Sequence, residues 1–83
     1  MHPGLISFTE SLVKPLAKEP DMVSVQEFGG DDEEIIIEII VHESDMGTMI
    51  GKGGKMANAL RTMVQAYAYL HKLNRVKINI DSF

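Results

Sequence analysis

The 83-residue sequence contains no cysteine and no tryptophan, and aromatic residues make up only 6% of it. Without cysteine no disulfide framework can form, and we expect a reducing compartment, the cytoplasm. The first residues lack the basic region and the long apolar stretch of a secretion signal. The longest apolar run lies between residues 35 and 41, with Glu38 inside it, and is far too short to span a bilayer.

Catalytic and metal-binding patterns are also missing. No Ser-His-Asp arrangement or pair of carboxylates stands out, and a chain of this length leaves little room for an enclosed catalytic cleft. The three histidines have no ligand spacing, and residues 31–34 lack the spacing of a calcium loop. We therefore expect one small domain that is not an enzyme and that holds neither a metal nor a cofactor.

Charge is distributed unevenly along the chain, which carries a formal net charge of −4. Residues 1–50 contain eleven acidic side chains and two lysines, whereas residues 51–83 contain six basic side chains and one acidic one, Asp81. We interpret the second half as an anion-binding face on an acidic body. An ordinary solvated surface with accidental asymmetry is the alternative.

Periodic apolar residues predict three helices, over residues 5–18, 45–51 and 54–73. Ser7 and Glu10 have the spacing of a capping box for the first helix, in which Pro15 either produces a kink or begins a new turn. Residues 43–45 offer an N-cap for the second helix, and Asn74 can close the third.

Alternating apolar residues predict three strands, over residues 22–28, 34–42 and 75–81. Residues 29–32 form a turn signal, so the first two strands should be an antiparallel hairpin. The second strand is apolar on both faces, which is typical of a central strand. A two-helix connection should make the last two strands parallel neighbours. The order α-β-β-α-α-β thus predicts an α+β fold, with three helices on one face of a three-stranded mixed sheet.

A glycine-rich loop, Gly51-Lys52-Gly53-Gly54, lies between the second and third predicted helices. Glycine lets a ligand approach the main chain closely, and a helix N-terminus favours an anion. A nucleotide-hydrolase P-loop is excluded because only three residues separate Gly47 from Gly51 and because Gly53 stands where the metal-binding hydroxyl should be. A dinucleotide-binding fingerprint fails as well, because the loop does not follow a strand.

The pattern Ile-Gly-x-x-Gly between two helices, within β-α-α-β, resembles the K-homology (KH) domain, whose loop holds the backbone of about four nucleotides. The added N-terminal helix and strand resemble the bacterial type II form. Residues 19–23 (Glu-Pro-Asp-Met-Val), 45–54 (Asp-Met-Gly-Thr-Met-Ile-Gly-Lys-Gly-Gly) and 59–62 (Ala-Leu-Arg-Thr) resemble the small KhpA-like family of bacterial KH proteins. The resemblance covers nearly the whole chain, so we expect a single type II KH domain over residues 1–83, with its GXXG loop at residues 51–54.

The resemblance implies a single-stranded RNA-binding protein of low sequence specificity. The residues assigned to RNA are Ile50, Gly51, Lys52, Gly53, Gly54, Lys55 and Arg61, although Arg61 could equally form a salt bridge. Met49, Ile50 and one of Ile36 and Ile40 could provide an apolar floor for the bases.

The resemblance also implies a homodimer, or a heterodimer with a KhpB/Jag-like RNA-binding protein. Post-transcriptional regulation or RNA chaperone activity, with effects on cell division and envelope growth, is implied as well. Two alternatives remain open: a protein–protein adaptor with vestigial RNA binding, and a ribosome-assembly factor that differs in the RNA it selects.

Overall fold

The computed structural model describes residues 2–29, 34–73 and 75–83. The helices are α1 (Pro3–Val13), α2 (Met46–Ile50) and α3 (Lys55–Leu70), and the strands are β1 (Ser24–Phe28), β2 (Ile35–Val41) and β3 (Val76–Ser82). Short 3₁₀ turns lie at Lys14–Leu16, Pro20–Met22, Glu43–Asp45 and Lys52–Gly54. The predicted order α-β-β-α-α-β is confirmed.

The three strands form one sheet in the order β1-β2-β3, so β2 is central as predicted. β1 pairs with β2 in antiparallel fashion, with Ser24 opposite Ile40 and Phe28 opposite Ile36. β3 runs parallel to β2, with Val76 opposite Ile35. The hairpin turn predicted at residues 29–32 lies, apart from Gly29, outside the described residues, as does Asn74. The third helix ends at Leu70, three residues before its predicted bound at residue 73.

The hydrophobic core lies between the helices and one face of the sheet. On β2 the alternate residues Ile35, Ile37, Ile39 and Val41 are almost fully buried, whereas residues 36, 38 and 40 are only half-buried. The other buried residues of this core are Leu5 and Val13 of α1, Val23 before β1, Met49 of α2, Leu60, Val64 and Ala68 of α3, and Val76 and Ile78 of β3. The sheet thereby fixes the position of the two helices that flank the glycine loop.

The N-terminal helix differs from its prediction at both ends. It begins at Pro3, so Ser7 is inside the helix and the predicted capping box with Glu10 is wrong. Proline suits the first turn because its missing N–H would have no partner there in any case. The helix ends at Val13, and Pro15 lies in a new 3₁₀ turn, which is the second of the two roles predicted for it.

Candidate nucleic-acid interface

The glycine loop joins α2 to α3 through a sharp bend of the main chain. Gly51 has φ 76° and ψ 173°, a combination that is essentially restricted to glycine. A Cβ at Gly51 would lie 2.7 Å from both the Cβ and the backbone N of Met56. The loop is therefore packed tightly against the first turn of α3 at this end, and the close approach requires a residue without a side chain.

The other end of the loop is open. Gly53 has φ 64° and ψ 22°, and a Cβ built there would meet no atom within 4 Å. Lys52 and Gly53 are both exposed to solvent. Lys52 and Gly53 therefore form the accessible part of the loop.

The backbone N–H groups of the loop divide into bonded and free donors. Gly51 N–H donates to the Gly47 carbonyl oxygen at 2.9 Å, and Gly54 N–H donates to the Gly51 carbonyl oxygen at 3.2 Å. Within the part of the chain that the structure describes, the N–H groups of Lys52 and Gly53 have no acceptor. No side chain caps α3, whose N-terminus carries a partial positive charge. Two donors and a helix end are therefore available to an anion.

Lys52 and Lys55 add two full positive charges to this surface. Both side chains are exposed, and neither has an ion-pair partner among residues 2–29, 34–73 and 75–83. Ile50, at the end of α2, is 37% exposed and places an apolar side chain beside the loop. The six consecutive residues 50–55 thus combine free donors, cationic groups and one apolar surface.

Arg61 lies on α3, outside the loop itself. It is half-buried, and its Nη1 donates to Asn58 Oδ1, on the same helix, at 3.1 Å. It forms no salt bridge within the described ranges. Within the described ranges, its side-chain contact is therefore a hydrogen bond within α3 and not the alternative salt bridge.

Met49 does not belong to the floor predicted for nucleobases. Its side chain is fully buried in the core, where α2 packs on the sheet. Ile36 and Ile40 are half-buried on the opposite face of β2 from the core-facing residues. Ile50 alone, of the four residues considered for that floor, lies beside the loop with substantial exposure.

Asp45 has a structural role that sequence analysis missed. Its side chain is fully buried, and it accepts hydrogen bonds from the backbone N–H groups of Lys18 at 2.8 Å and Glu19 at 3.1 Å. Asp45 precedes α2 but its side chain does not cap that helix. These bonds link the segment after α1 to the start of α2, and nothing in the local sequence around Asp45 indicates contacts with residues so far away.

The hydrogen bonds also change the acidity of Asp45. The Lys18 N–H, with a smaller contribution from Glu19, holds the pKa of the Asp45 carboxyl below its ordinary value, although burial acts in the opposite direction. The ionised carboxylate is therefore the form that fits the fold. It fixes the start of α2 and, through this short helix, the position of Gly51.

No helix in the described part of the chain is long and apolar enough to cross a membrane. Among the same residues, no group of three or more His, Cys, Asp or Glu side chains is arranged to hold a metal ion.

Solved structures with the same fold belong to much longer chains. Era from Aquifex aeolicus, bound to GDP and AlF4⁻, aligns with a TM-score of 0.68 at 18% identity, over 95% of this chain and 30% of that chain. Era in complex with MgGDPNP and nucleotides 1506–1542 of 16S ribosomal RNA aligns with a TM-score of 0.67 at 20% identity, over 94% of this chain and 29% of that chain. These likenesses establish the fold of this chain.

Sequence comparisons identify its relatives. The RNA-binding protein KhpA of Caldanaerobacter subterraneus subsp. tengcongensis is 44% identical over 71 residues, which cover 86% of this chain and 92% of the relative. The RNA-binding protein KhpA of Halalkalibacterium halodurans is 40% identical over 74 residues, which cover 89% of this chain and 95% of the relative. A family model described as "KhpA/KhpB, KH domain" matches residues 7–80. The chain therefore belongs to the KhpA/KhpB family of KH domains.

Proposed function

We propose that this chain, acting as a single KH domain over residues 1–83, binds single-stranded RNA at the loop Gly51–Gly54 and catalyses no reaction. The observation that carries the proposal is the pair of N–H groups at Lys52 and Gly53, which are exposed at the N-terminus of α3 and have no acceptor among the described residues. The names of relatives that are 40–44% identical over most of the chain support RNA as the ligand.

The loop binds the sugar-phosphate backbone rather than the base edges. Free backbone N–H groups donate to phosphate oxygens, and such charge-assisted bonds are stronger than neutral ones. Lys52 and Lys55 attract the phosphates, while the exposed part of Ile50 contacts a base. Phosphate contacts carry no sequence information, so this site has low sequence specificity.

Assembly with another RNA-binding chain follows from the same proposal. A single KH loop holds about four nucleotides, so two such domains together hold a longer and more selective segment. We infer that the chain forms a homodimer or pairs with a KhpB/Jag-like protein, and the shared family model supports such a partner. Its action is post-transcriptional regulation or RNA chaperoning in the cytoplasm.

A double substitution in the loop tests the RNA site. Lys52→Asp with Gly53→Asp replaces one positive charge with two negative ones beside the free donors. The backbone of Gly53 accepts this change, because aspartate tolerates the left-handed region and no atom lies within 4 Å of the new Cβ. We expect binding of a short labelled RNA, followed by fluorescence anisotropy, to weaken by at least about 100-fold.

A matched control separates the site from the overall charge. Ser7→Asp with Lys14→Asp produces the same charge change at two exposed positions, one in α1 and one in the 3₁₀ turn that follows it. RNA affinity should stay within about threefold of the parent. Circular dichroism should show the parent fold in both variants, and sedimentation should show the parent oligomeric state. If the loop variant binds RNA as tightly as the parent, the assignment of the site is wrong.

A further inference from the structure

A groove runs along the side of the molecule between α3 and the outer edge of β3. Its first part lies between Arg61 and residues 76–79. Its second part, a cleft of about 470 Å³, extends to Tyr69 and Leu73. Gln65, Arg75 and Val76 line both parts, so the two form one continuous surface, called the distal groove below.

The helix wall of the distal groove begins at Arg61, about 9 Å along the axis of α3 from Lys55, and leads away from the glycine loop. Arg61, Gln65 and Tyr69 are spaced four residues apart and therefore lie along one stripe of α3. The rise of an α-helix places Tyr69 about 21 Å along the axis from Lys55. A strand held at the loop can thus continue along this stripe.

Tyr69 is unusually exposed for an aromatic side chain. It is 82% exposed, and its ring stacks on no other ring among the residues that the structure describes. Tyr67, on the same helix, is half-buried, with its ring centroid 4.6 Å from that of Phe8 and 4.1 Å from that of His71. Tyr67 therefore belongs to the packed interior side of α3, whereas the ring of Tyr69 is available to a ligand.

The charges along the distal groove fit a polyanion. Arg61, Arg75 and Lys77 line it, with Glu34 as the acidic residue at its border. The Arg75 side chain is 87% exposed, and its Nε is 3.7 Å from Glu34 Oε2, so this surface pair is weak. An excess of cationic groups beside an exposed tyrosine is typical of a single-stranded nucleic-acid surface, where phosphates meet the cations and a base stacks on the ring.

Resting on the function proposed above, we propose that the RNA strand held at the glycine loop continues along the distal groove and stacks a base on Tyr69. Arg75 holds a phosphate of this added segment. The site therefore spans more nucleotides than the four that a KH loop holds, and Tyr69 is the residue that ends it.

Oligonucleotides of increasing length test this extension. With oligouridines of four to twelve nucleotides, the parent should gain affinity beyond four nucleotides and then reach a plateau. Tyr69→Ala should lower affinity for the ten-nucleotide RNA by about tenfold while leaving the four-nucleotide RNA unchanged, because stacking on an aromatic ring contributes roughly 1–3 kcal/mol per base. Tyr69→Phe keeps the ring and should bind the ten-nucleotide RNA like the parent.

Tyrosine fluorescence gives a second readout, because the chain contains two tyrosines and no tryptophan. The ten-nucleotide RNA should quench the emission of the parent protein strongly. In Tyr69→Phe the remaining emission comes from half-buried Tyr67, so quenching should largely disappear although binding is retained. Leu70→Ala is the control, because it changes the exposed side chain next to Tyr69. We expect this variant to bind the ten-nucleotide RNA, and to be quenched by it, like the parent.

The outcomes distinguish the failure of this inference from the failure of the proposed function. If Lys52→Asp with Gly53→Asp abolishes binding of both RNAs but Tyr69→Ala binds the ten-nucleotide RNA like the parent, the extension is wrong and the loop site stands. A parent that gains no affinity beyond four nucleotides overturns the extension in the same way. If Tyr69→Ala binds RNA like the parent but has a different sedimentation coefficient, the extension is wrong and this surface instead contacts another protein chain.

Discussion

Gly51 and Gly53 lie two residues apart in one loop, yet the structure requires glycine at only one of them. A side chain at Gly51 would collide with the backbone of α3, whereas one at Gly53 would extend into open space. The N–H of Gly51 is bonded to Gly47, and the N–H of Gly53 is free within the described residues. The first glycine thus builds the bend, and the second leaves its donor accessible.

Asparagine at each of the two glycines should show the largest difference in folding stability between the packed end and the open end of the loop. Gly51→Asn forces a side chain into a backbone conformation reserved for glycine and into contact with Met56. We expect the free energy of unfolding to fall by about 3 kcal/mol. Urea unfolding followed by circular dichroism measures this loss as a lower midpoint.

Gly53→Asn is the matched control for that measurement. Asparagine adopts the left-handed conformation of Gly53 readily, so the free energy of unfolding should fall by less than about 1 kcal/mol. Equal losses at the two positions would contradict the division of the loop into a packed end and an open end.

A substitution at Asp45 tests whether its buried hydrogen bonds hold the packed end of the loop in place. Asp45→Asn keeps one acceptor oxygen but directs an amide donor toward a backbone N–H, leaving a buried donor without a partner. We expect the melting temperature to fall by at least about 5 °C. Glu43→Gln, at a nearby exposed position, should leave the melting temperature within about 1 °C of the parent.

The lowered pKa of Asp45 also sets a pH dependence. The ordinary value is 3.8, and the folded-state value is lower, so the carboxylate stabilises the fold fully above that pH. Its contribution is lost as the pH falls through the folded-state pKa. In thermal melts below pH 4, the melting temperature of Asp45→Asn should therefore fall less steeply than that of the parent, and parallel curves would contradict this role.

The smallest expected effect concerns the open end of the loop. Lys52→Ala removes one exposed charge and should weaken RNA binding roughly three- to tenfold without changing the unfolding midpoint. The slope of log affinity against log salt should become shallower by about 0.7, because one fewer phosphate is neutralised. Lys14→Ala removes a lysine that lies 3.4 Å from Glu10 on the α1 segment, and it should leave both slope and affinity unchanged.

Local patterns in the sequence were sufficient to predict the strands and their order. The apolar residues on both faces of β2, the alternation on β3 and the apolar stripe of α3 depend only on nearby residues. The sheet order follows from the length and handedness of the connections. The start of α1 was misplaced because Ser7 and Glu10 have capping spacing but lie inside the helix, which Pro3 begins. The helix thus begins four residues before Ser7, although Ser7 and Glu10 have the spacing of a cap.

Interactions between distant parts of the chain could not be predicted. Asp45 bonds to Lys18 and Glu19, and no periodicity connects these positions. Met49 is one of the residues considered for an apolar floor beneath the bases, but α2 turns its side chain into the core. The assignment of residues 50–55 and Arg61 to RNA remains a prediction for the binding experiments.

Among the residues that the structure describes, no strand pairs with the outer edge of β3, and this has a consequence for aggregation. Exposed backbone groups at such a border can pair with a strand of another molecule and start fibrous aggregation. The charged residues Lys77 and Asp81 lie on the exposed face of β3, and the side-chain amide of Gln65 donates to the Val76 carbonyl oxygen at 3.2 Å. The charges and the occupied carbonyl therefore disfavour the addition of a strand from another molecule at this border.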